Sequence, residues 1–470
     1  MFKKSQIFIN ALLIVASLLL VGWWVSHDPT SGFEESRPGM DNRGEGVAYT
    51  EEINIGEHFE TFDVDRAESL EESWPRFRGS DFDNIYKSGI QLKDRFKENG
   101  PEILWSVELG EGHAGPAIYK GMVYLLDYDE EKKADMLRCF NLINGKEVWR
   151  RGYGVNVKRN HGMSRTVPAV TEDYVLTIGP RCHVMCVERE TGDFLWGIDI
   201  EKQFESEVPL WYTGQCPLID DGVAVIATGG KSLMIGVDCS TGEIIWEVPN
   251  EKGWKMSHSS IMPFTFNDQK MYVYSAIGGV VGVSPEGEVL WQSAAWDHSV
   301  IAPAPVCMPD GRIFLTAGYG AGAMMLRLSE NNGEFDVEVR DEYKPSEGLA
   351  SEQQTPVYYE GHLFGILPKD GGSLRNQLVC VQPDNTRDIV WASDKTTRFG
   401  LGPYLVADDK FYLLNDNGTL FILDATTREY RELARAQVLE GHDAWAPMAL
   451  ADGYLVLRDS ETMVCINIKS

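Results

Sequence analysis

The chain predicts an all-β fold, an eight-bladed β-propeller of four-stranded antiparallel blades, preceded by an N-terminal transmembrane helix. Three observations carry the propeller. A Gly-x-x-x-Trp spacing recurs after short apolar strands. A proline opens a short apolar strand eight times at a near-constant interval. The two ends of the repeating region each hold part of one unit.

The first ruler runs from Gly145 to Trp149, Gly192 to Trp196, Gly242 to Trp246 and Gly287 to Trp291. Thr386-Arg387 leads to Trp391 with the spacing kept and the glycine lost. Asn332-Gly333 leads only to Val337, Thr427-Arg428 opens a degraded copy, and Ile103-Leu104-Trp105 is a further copy at the front. The second ruler is Pro116, Pro168, Pro217, Pro263, Pro305, Pro356, Pro403 and Pro447, with a mean spacing of about 47 residues, in the range of propeller blades. A recurring aromatic is what packing between sheets requires, so Trp105, Trp149, Trp196, Trp246, Trp291 and Trp391 read as blade anchors.

One unit shows the pattern. Pro116–Tyr119 is an inner strand, Lys120-Gly121 a turn, and Met122–Leu126 the second strand. Leu137–Phe140 is the third, Asn144-Gly145 a favoured hairpin turn, and Glu147–Trp149 the fourth. After Pro447 the chain has room for three strands only, at Met448–Leu450, Tyr454–Leu457 and Met463–Ile466. Ile103–Val107 supplies the fourth and leaves no free edge. A solenoid of stacked repeats is the competing architecture. It needs capping units, and the shared eighth unit favours closure.

Ahead of the propeller, Lys3 and Lys4 precede an uncharged run from Ile7 to Val25 that includes Trp23 and Trp24. Such a run makes about 28 Å of helix. The lysines suit the cytoplasmic side and the tryptophans the far interface. A cleaved signal peptide is the alternative, although Val21-Gly22-Trp23-Trp24 offers no small-x-small site and no lipid-accepting cysteine follows. Either way the chain beyond about His27 is expected to be exported. It would lie in a bacterial cell envelope, held at the inner membrane with the propeller in the periplasm, or released if the segment is cleaved. Residues 27–73 read as an acidic flexible linker, because aliphatic residues are sparse and carboxylates dominate. Residues 74–101 read as a leader and 102–470 as the propeller. The formal net charge of −28 argues against nucleic acid as a partner.

These repeats resemble the pyrroloquinoline quinone (PQQ) repeat family, whose units end in the same Gly-x-x-x-Trp hairpin. The resemblance covers nearly all of 102–470. Trp74-Pro75-Arg76-Phe77-Arg78-Gly79 is similar to the leader found before many bacterial propellers of this kind. The resemblance implies one of two branches. Quinoprotein dehydrogenases hold PQQ and Ca²⁺ on the propeller axis. The outer-membrane assembly scaffold is cofactor-free and binds protein. The dehydrogenases' adjacent Cys-Cys pair is absent, as is a Cys-x-x-Cys-His haem site. The scaffold's lipid-bearing cysteine is absent too. The expectation is a non-catalytic scaffold without cofactor, binding a protein or glycan-like ligand through one face. The alternative is a quinoprotein oxidoreductase using PQQ and Ca²⁺ on an alcohol or sugar.

In a propeller, the loops leading into the inner strands converge on one face. Here they carry His113, then His161 and Arg165, then Trp211, Tyr212 and Gln215, then Ser257 and His258, then Trp296 and His298. Glu352 and Gln353 follow, then Arg398 and Phe399, then His442, Asp443 and Trp445. Imidazoles, carboxylates, guanidinium and aromatic groups around a concave mouth predict a ligand-binding funnel. Polar mouth residues that only satisfy backbone groups and bind water are the alternative. No His-x-x-x-His, Gly-x-Ser-x-Gly or calcium-loop spacing announces a metal or a nucleophile. Cys139, Cys186, Cys380 and Cys465 occupy matching third-strand places and read as small buried hydrophobes, with a disulfide from Cys182 left open.

Overall fold

The computed structural model describes residues 2–26, 52–66, 70–98, 100–158 and 162–470. They fall into two units divided at Glu51/Glu52. The first holds the helix Phe2–Ser26. Among the described residues no helix is long and apolar enough to cross a membrane, so the expected transmembrane helix is not supported.

The second unit is an eight-bladed propeller. Its inner strands are Ala117–Tyr119, Ala169–Val170, Leu218–Asp220, Met262–Phe266, Val306–Cys307, Val357–Tyr359, Tyr404–Ala407 and Ala449–Ala451. Each opens a sheet that meanders outward through antiparallel neighbours. The marker prolines stand at or near the start of these strands, where a residue without an N–H costs no ladder bond. Blade eight takes its outer strand, Glu102–Glu108, from the front of the chain. That strand pairs antiparallel with Thr462–Asn467, from Glu102↔Asn467 to Glu108↔Thr462. The ring is closed, and the solenoid is excluded.

The repeated Gly and Trp explain each other. A Cβ on Gly145 would lie 2.7 Å from the ring of Trp105, on Gly192 2.7 Å from Trp149, on Gly242 2.6 Å from Trp196, and on Gly287 2.9 Å from Trp246. Each tryptophan therefore fills the space over the hairpin glycine of the next blade. The indole N–H of Trp105 donates to Leu142 O at 2.7 Å and that of Trp196 to Cys239 O at 2.7 Å. Trp391, whose next blade lacks the glycine, donates to Thr426 O at 3.1 Å and packs on Tyr430.

Two segments before the propeller join it. Residues 52–66, assigned above to the linker, carry the strand His58–Thr61, which pairs antiparallel with Trp149–Gly152 as a fifth, outer strand of blade one. Arg151 lies over the Phe59 ring at 3.8 Å and Lys132 bonds Glu60 at 2.8 Å. Carboxylate-rich sequence hid these anchors, because the partner cations sit far away in the chain. The leader does more. Trp74 exchanges backbone hydrogen bonds with Ile118 of blade one, and Pro75 O accepts from Val170 N of blade two. Arg78 donates to Thr355 O and Pro356 O of blade six, and Ile85–Tyr86 pairs in parallel with blade seven. Tyr86 OH accepts from Asp452 N of blade eight. A segment touching inner strands on opposite sides of the ring lies across the axis and plugs the channel.

Candidate functional site

Above that plug lies an axial pocket of about 130 Å³. Its floor is Phe77 of the leader. Its wall includes His113, Arg165, Trp211, His258, Glu352, Gln353 and Trp445, all from loops before inner strands, together with Tyr319. The pre-proline loops thus converge as the sequence implies, because eight blades point their inner strands at one axis.

The wall is organised by ring contacts. His113 stacks on Trp445 across the seam between blades one and eight, with centroids 4.9 Å apart. Trp445 Nε1 donates to Asp416 Oδ1 at 2.9 Å, which sets the indole's orientation. Burial raises the Asp416 pKa, and the hydrogen bonds from Leu401 N and Trp445 oppose that shift. Trp211 stacks against His258 at 6.4 Å and meets Tyr319 at 5.4 Å. Trp211 and Tyr319 hold φ at 62° and 56°, a left-handed backbone that costs a bulky residue about 1–3 kcal/mol.

The polar side of the wall centres on Glu352, which is only 5% exposed. Its Oε1 is 3.4 Å from Lys369 Nζ, and that ammonium lies 4.8 Å above the Tyr319 ring. Its Oε2 has no surface open to solvent, and the carboxyl is a hydrogen-bond partner of the Tyr319 phenol. Burial, then the Glu352 carboxylate, push the Tyr319 phenol up to about 12. Gln354 Nε2 ties the neighbouring loops together by donating to Leu401 O and Trp445 O. Burial pushes the Cys216 thiol up to about 11, so this pocket cysteine stays protonated at neutral pH.

The other described candidates lie elsewhere. His161 falls outside the described residues. Gln215 is fully buried and clamps the backbone of Ala227, donating to its O at 3.0 Å and accepting from its N at 2.7 Å. Tyr212 sends its hydroxyl to Lys158 O. Trp296 is fully buried in a blade core with His298 edge-on at 4.3 Å, and burial lowers the His298 pKa. Phe399 is buried in another blade core, and Arg398 bonds Arg375 O. Ser257 Oγ bonds Ser275 O inside blade four. His442 is exposed and pairs with Asp443 at 3.1 Å, on the outer side of the mouth. Those of them that are described hold loops in place or face solvent, and none of these lines the axial pocket. Tyr319 and Phe77 were missed. Tyr319 sits on a tight turn, Gly318–Gly322, between the second and third strands of blade five, on the same face as the pre-proline loops. An aromatic set among glycines was the available signal. All eight cysteines are free, and the nearest sulfur partner of Cys182 is Met256 Sδ at 3.8 Å.

A closed propeller of PQQ-type repeats with an aromatic axial pocket defines the class. The chain belongs to the PQQ-repeat family described as outer membrane protein assembly factor BamB, whose sequence pattern matches residues 133–377. No curated protein sequence matches the chain. Its fold is similar to BamB from Moraxella catarrhalis, at 11% identity and a TM-score of 0.51, covering 78% of this chain and 99% of that one. It is also similar to a europium-containing methanol dehydrogenase, at 10% identity and a TM-score of 0.60, covering 82% and 89%. A third similar structure is the quinohemoprotein alcohol dehydrogenase from Comamonas testosteroni, at 11% and 0.56, covering 84% and 80%. At these identities the likeness is one of fold.

The pocket residues do not fit PQQ with Ca²⁺. Calcium takes six to eight oxygen ligands. Among the residues lining the pocket Glu352 alone carries a carboxylate, and among the described residues no three His, Cys, Asp or Glu come together as a metal site.

Proposed function

We propose that this chain is an exported, membrane-tethered binding scaffold that holds a ligand in the mouth of its propeller and does not transform it. One observation carries the reading. Side chains from loops of different blades meet in one axial pocket, where aromatic rings surround a buried carboxylate. Aromatic walls with a few placed polar groups are the composition of a ligand seat. Export and tethering rest on Lys3, Lys4 and the apolar run Ile7–Val25. BamB, by its name, is an assembly factor, which supports a scaffold role for a propeller of the same family.

Purified full-length protein titrated with PQQ and Ca²⁺ tests this directly, with melting temperature and cofactor absorbance as readouts. The expected result is no saturable change. Saturable binding with dye-linked oxidation of an alcohol or sugar replaces the scaffold reading with a quinoprotein oxidoreductase. Binding without turnover keeps the mouth as a ligand site and gives it a cofactor.

A further inference from the structure

We propose that the buried carboxyl of Asp135 and the hydroxyl of Ser164 form a proton-operated latch between blades one and two. The latch holds two wall loops of the mouth together while Asp135 keeps a proton, and it loosens them when the proton leaves. It acts on the mouth that the binding reading assigns, and it rests on that reading only for its consequence.

Asp135 stands on the third strand of blade one, Ala134–Asn141, and is 1% exposed. Ser164 belongs to the loop before the inner strand of blade two and is buried as deeply. Its Oγ donates to Asp135 Oδ1 at 2.6 Å, and Tyr153 OH, from the outer strand of blade one, donates to Oδ2 at 3.2 Å. Blade two closes the seam over them. A Cβ on Gly179 would come within 2.5 Å of Asp135 Oδ2 and closer still to the Tyr153 hydroxyl. Ser164 is also a hub of the mouth. Its carbonyl accepts from His113 N at 2.8 Å, and Gly112 bridges to it from the blade-one loop. Arg165, the next residue, lines the axial pocket, as does His113. One hydroxyl thus ties the seam to two walls of the pocket.

Charge decides how the latch works. Among the described residues no cation faces the Asp135 carboxyl. The neighbouring strand brings Asp127, a like charge, which Arg138 Nη1 holds at 2.7 Å. The outer strand brings Tyr153. His183 of blade two lies edge-on to the Tyr153 ring at 5.1 Å, with its Nε2 3.7 Å from Asp199 Oδ2. Burial pushes the thiol of Cys182, next to His183, up to about 12, so it stays protonated. Burial also raises the Asp135 carboxyl to about 7, against the two hydroxyls that donate to it. A carboxyl that ionises unfavourably in place ionises readily once water reaches it. The closed seam therefore keeps the proton to about pH 7, whereas an opened, hydrated seam gives it up near pH 3.9. Rising pH favours opening between those two values and has no further effect above the upper one.

Hydrogen–deuterium exchange of the full chain at pH 5 and pH 8, corrected for the intrinsic rate at each pH, reads the seam directly. Amides in 109–116 and 162–168 are expected to open at least about tenfold more often at pH 8 than at pH 5. Asp135→Asn is expected to keep the pH 5 protection at both values, because an amide does not ionise there. Ser164→Ala is expected to lower protection at pH 5 by several-fold, since the loop loses its tie. Equal protection of the parent at pH 5 and pH 8 overturns the latch, and that comparison decides the matter even if the Asn variant fails to fold. A pH-dependent loss that persists in Asp135→Asn also overturns it, because another group then drives the opening. Protection in Ser164→Ala equal to the parent's at pH 5 removes Ser164 from the device and overturns it as stated. The readout needs no ligand, so a failure of the binding reading and a failure of the latch are seen separately.

Discussion

The indole of Trp149 occupies the space above Gly192, where an added Cβ would come within 2.7 Å of the ring. Blade one is locked to blade two through this contact, and the same contact recurs at Trp105–Gly145, Trp196–Gly242 and Trp246–Gly287. The glycine also holds φ at +76°. Gly333, the matching residue of blade five, has a similar φ of +85° with nothing within 4 Å. Gly192→Ala is expected to cost about 2–4 kcal/mol, from left-handed strain and overpacking together. Gly333→Ala is expected to cost about 1–2 kcal/mol, from strain alone. Denaturant unfolding of the two variants separates the terms, and equal losses would contradict the packing account.

Arg78 holds the axial plug. It is fully buried, and burial lowers its pKa to about 10. It donates to the carbonyls of Phe82 and Asp83 in its own turn and of Thr355 and Pro356 in blade six. Arg78→Met leaves these acceptors buried without their donor, at a cost on the order of 3–5 kcal/mol. Arg78→Lys is expected to recover little, because an ammonium cannot reproduce the planar fork. Limited proteolysis should show new cleavage within the leader of both variants.

Asp135 makes stability depend on pH. Burial raises its carboxyl to about 7, against the hydrogen bonds donated by Ser164 Oγ at 2.6 Å and Tyr153 OH at 3.2 Å, which lower it. Between the unfolded carboxyl's pKa near 3.9 and about 7, the native state keeps a proton that the unfolded state has lost. Stability from this group therefore falls as pH rises through that window and is level above it, with a ceiling of about 4 kcal/mol. Asp135→Asn removes the titration. Its melting temperature relative to the parent should climb from about pH 4 to about pH 7 and then stay constant.

Topology is checked at the N-terminus. Alkaline phosphatase fused after His27 is expected to be active in a bacterial host if, as the proposed function has it, Lys3 and Lys4 hold their end in the cytoplasm. Lys3→Glu with Lys4→Glu should lower that activity severalfold. An inactive parent fusion would remove export from the proposed function.

The blades were legible because their chemistry is local and repeated. Asn144-Gly145 and Trp149 announce a hairpin and an anchor within a few residues, and the chain restates them. The strand Glu102–Glu108 was legible by elimination, since the last unit lacked a partner. The axial plug was not legible. Nothing in Trp74–Gly79 says that Arg78 will meet Thr355, and that pairing exists only once the ring has brought blade six round to the leader. At the mouth, type and position were readable but direction was not. His113, Glu352 and Trp445 turn inward, whereas Trp296 and Gln215, in equivalent loops, are consumed by a blade core and by the backbone of Ala227. Tyr319 escaped because it reaches the same face by a different kind of loop.

The pairing of Glu102 with Asn467 also sets a clock. The first strand of the ring cannot find its partner until nearly the whole chain has been made, and such distant pairings are slow to form. Until then Trp105 lacks the neighbouring strand that carries Cys465, and the edge of Thr462–Asn467 stands open until the two pair. The vulnerable interval of this protein is therefore its last step. A chaperone that shields one strand edge at that moment would raise the yield of closed rings more than any gain in the strength of a single blade.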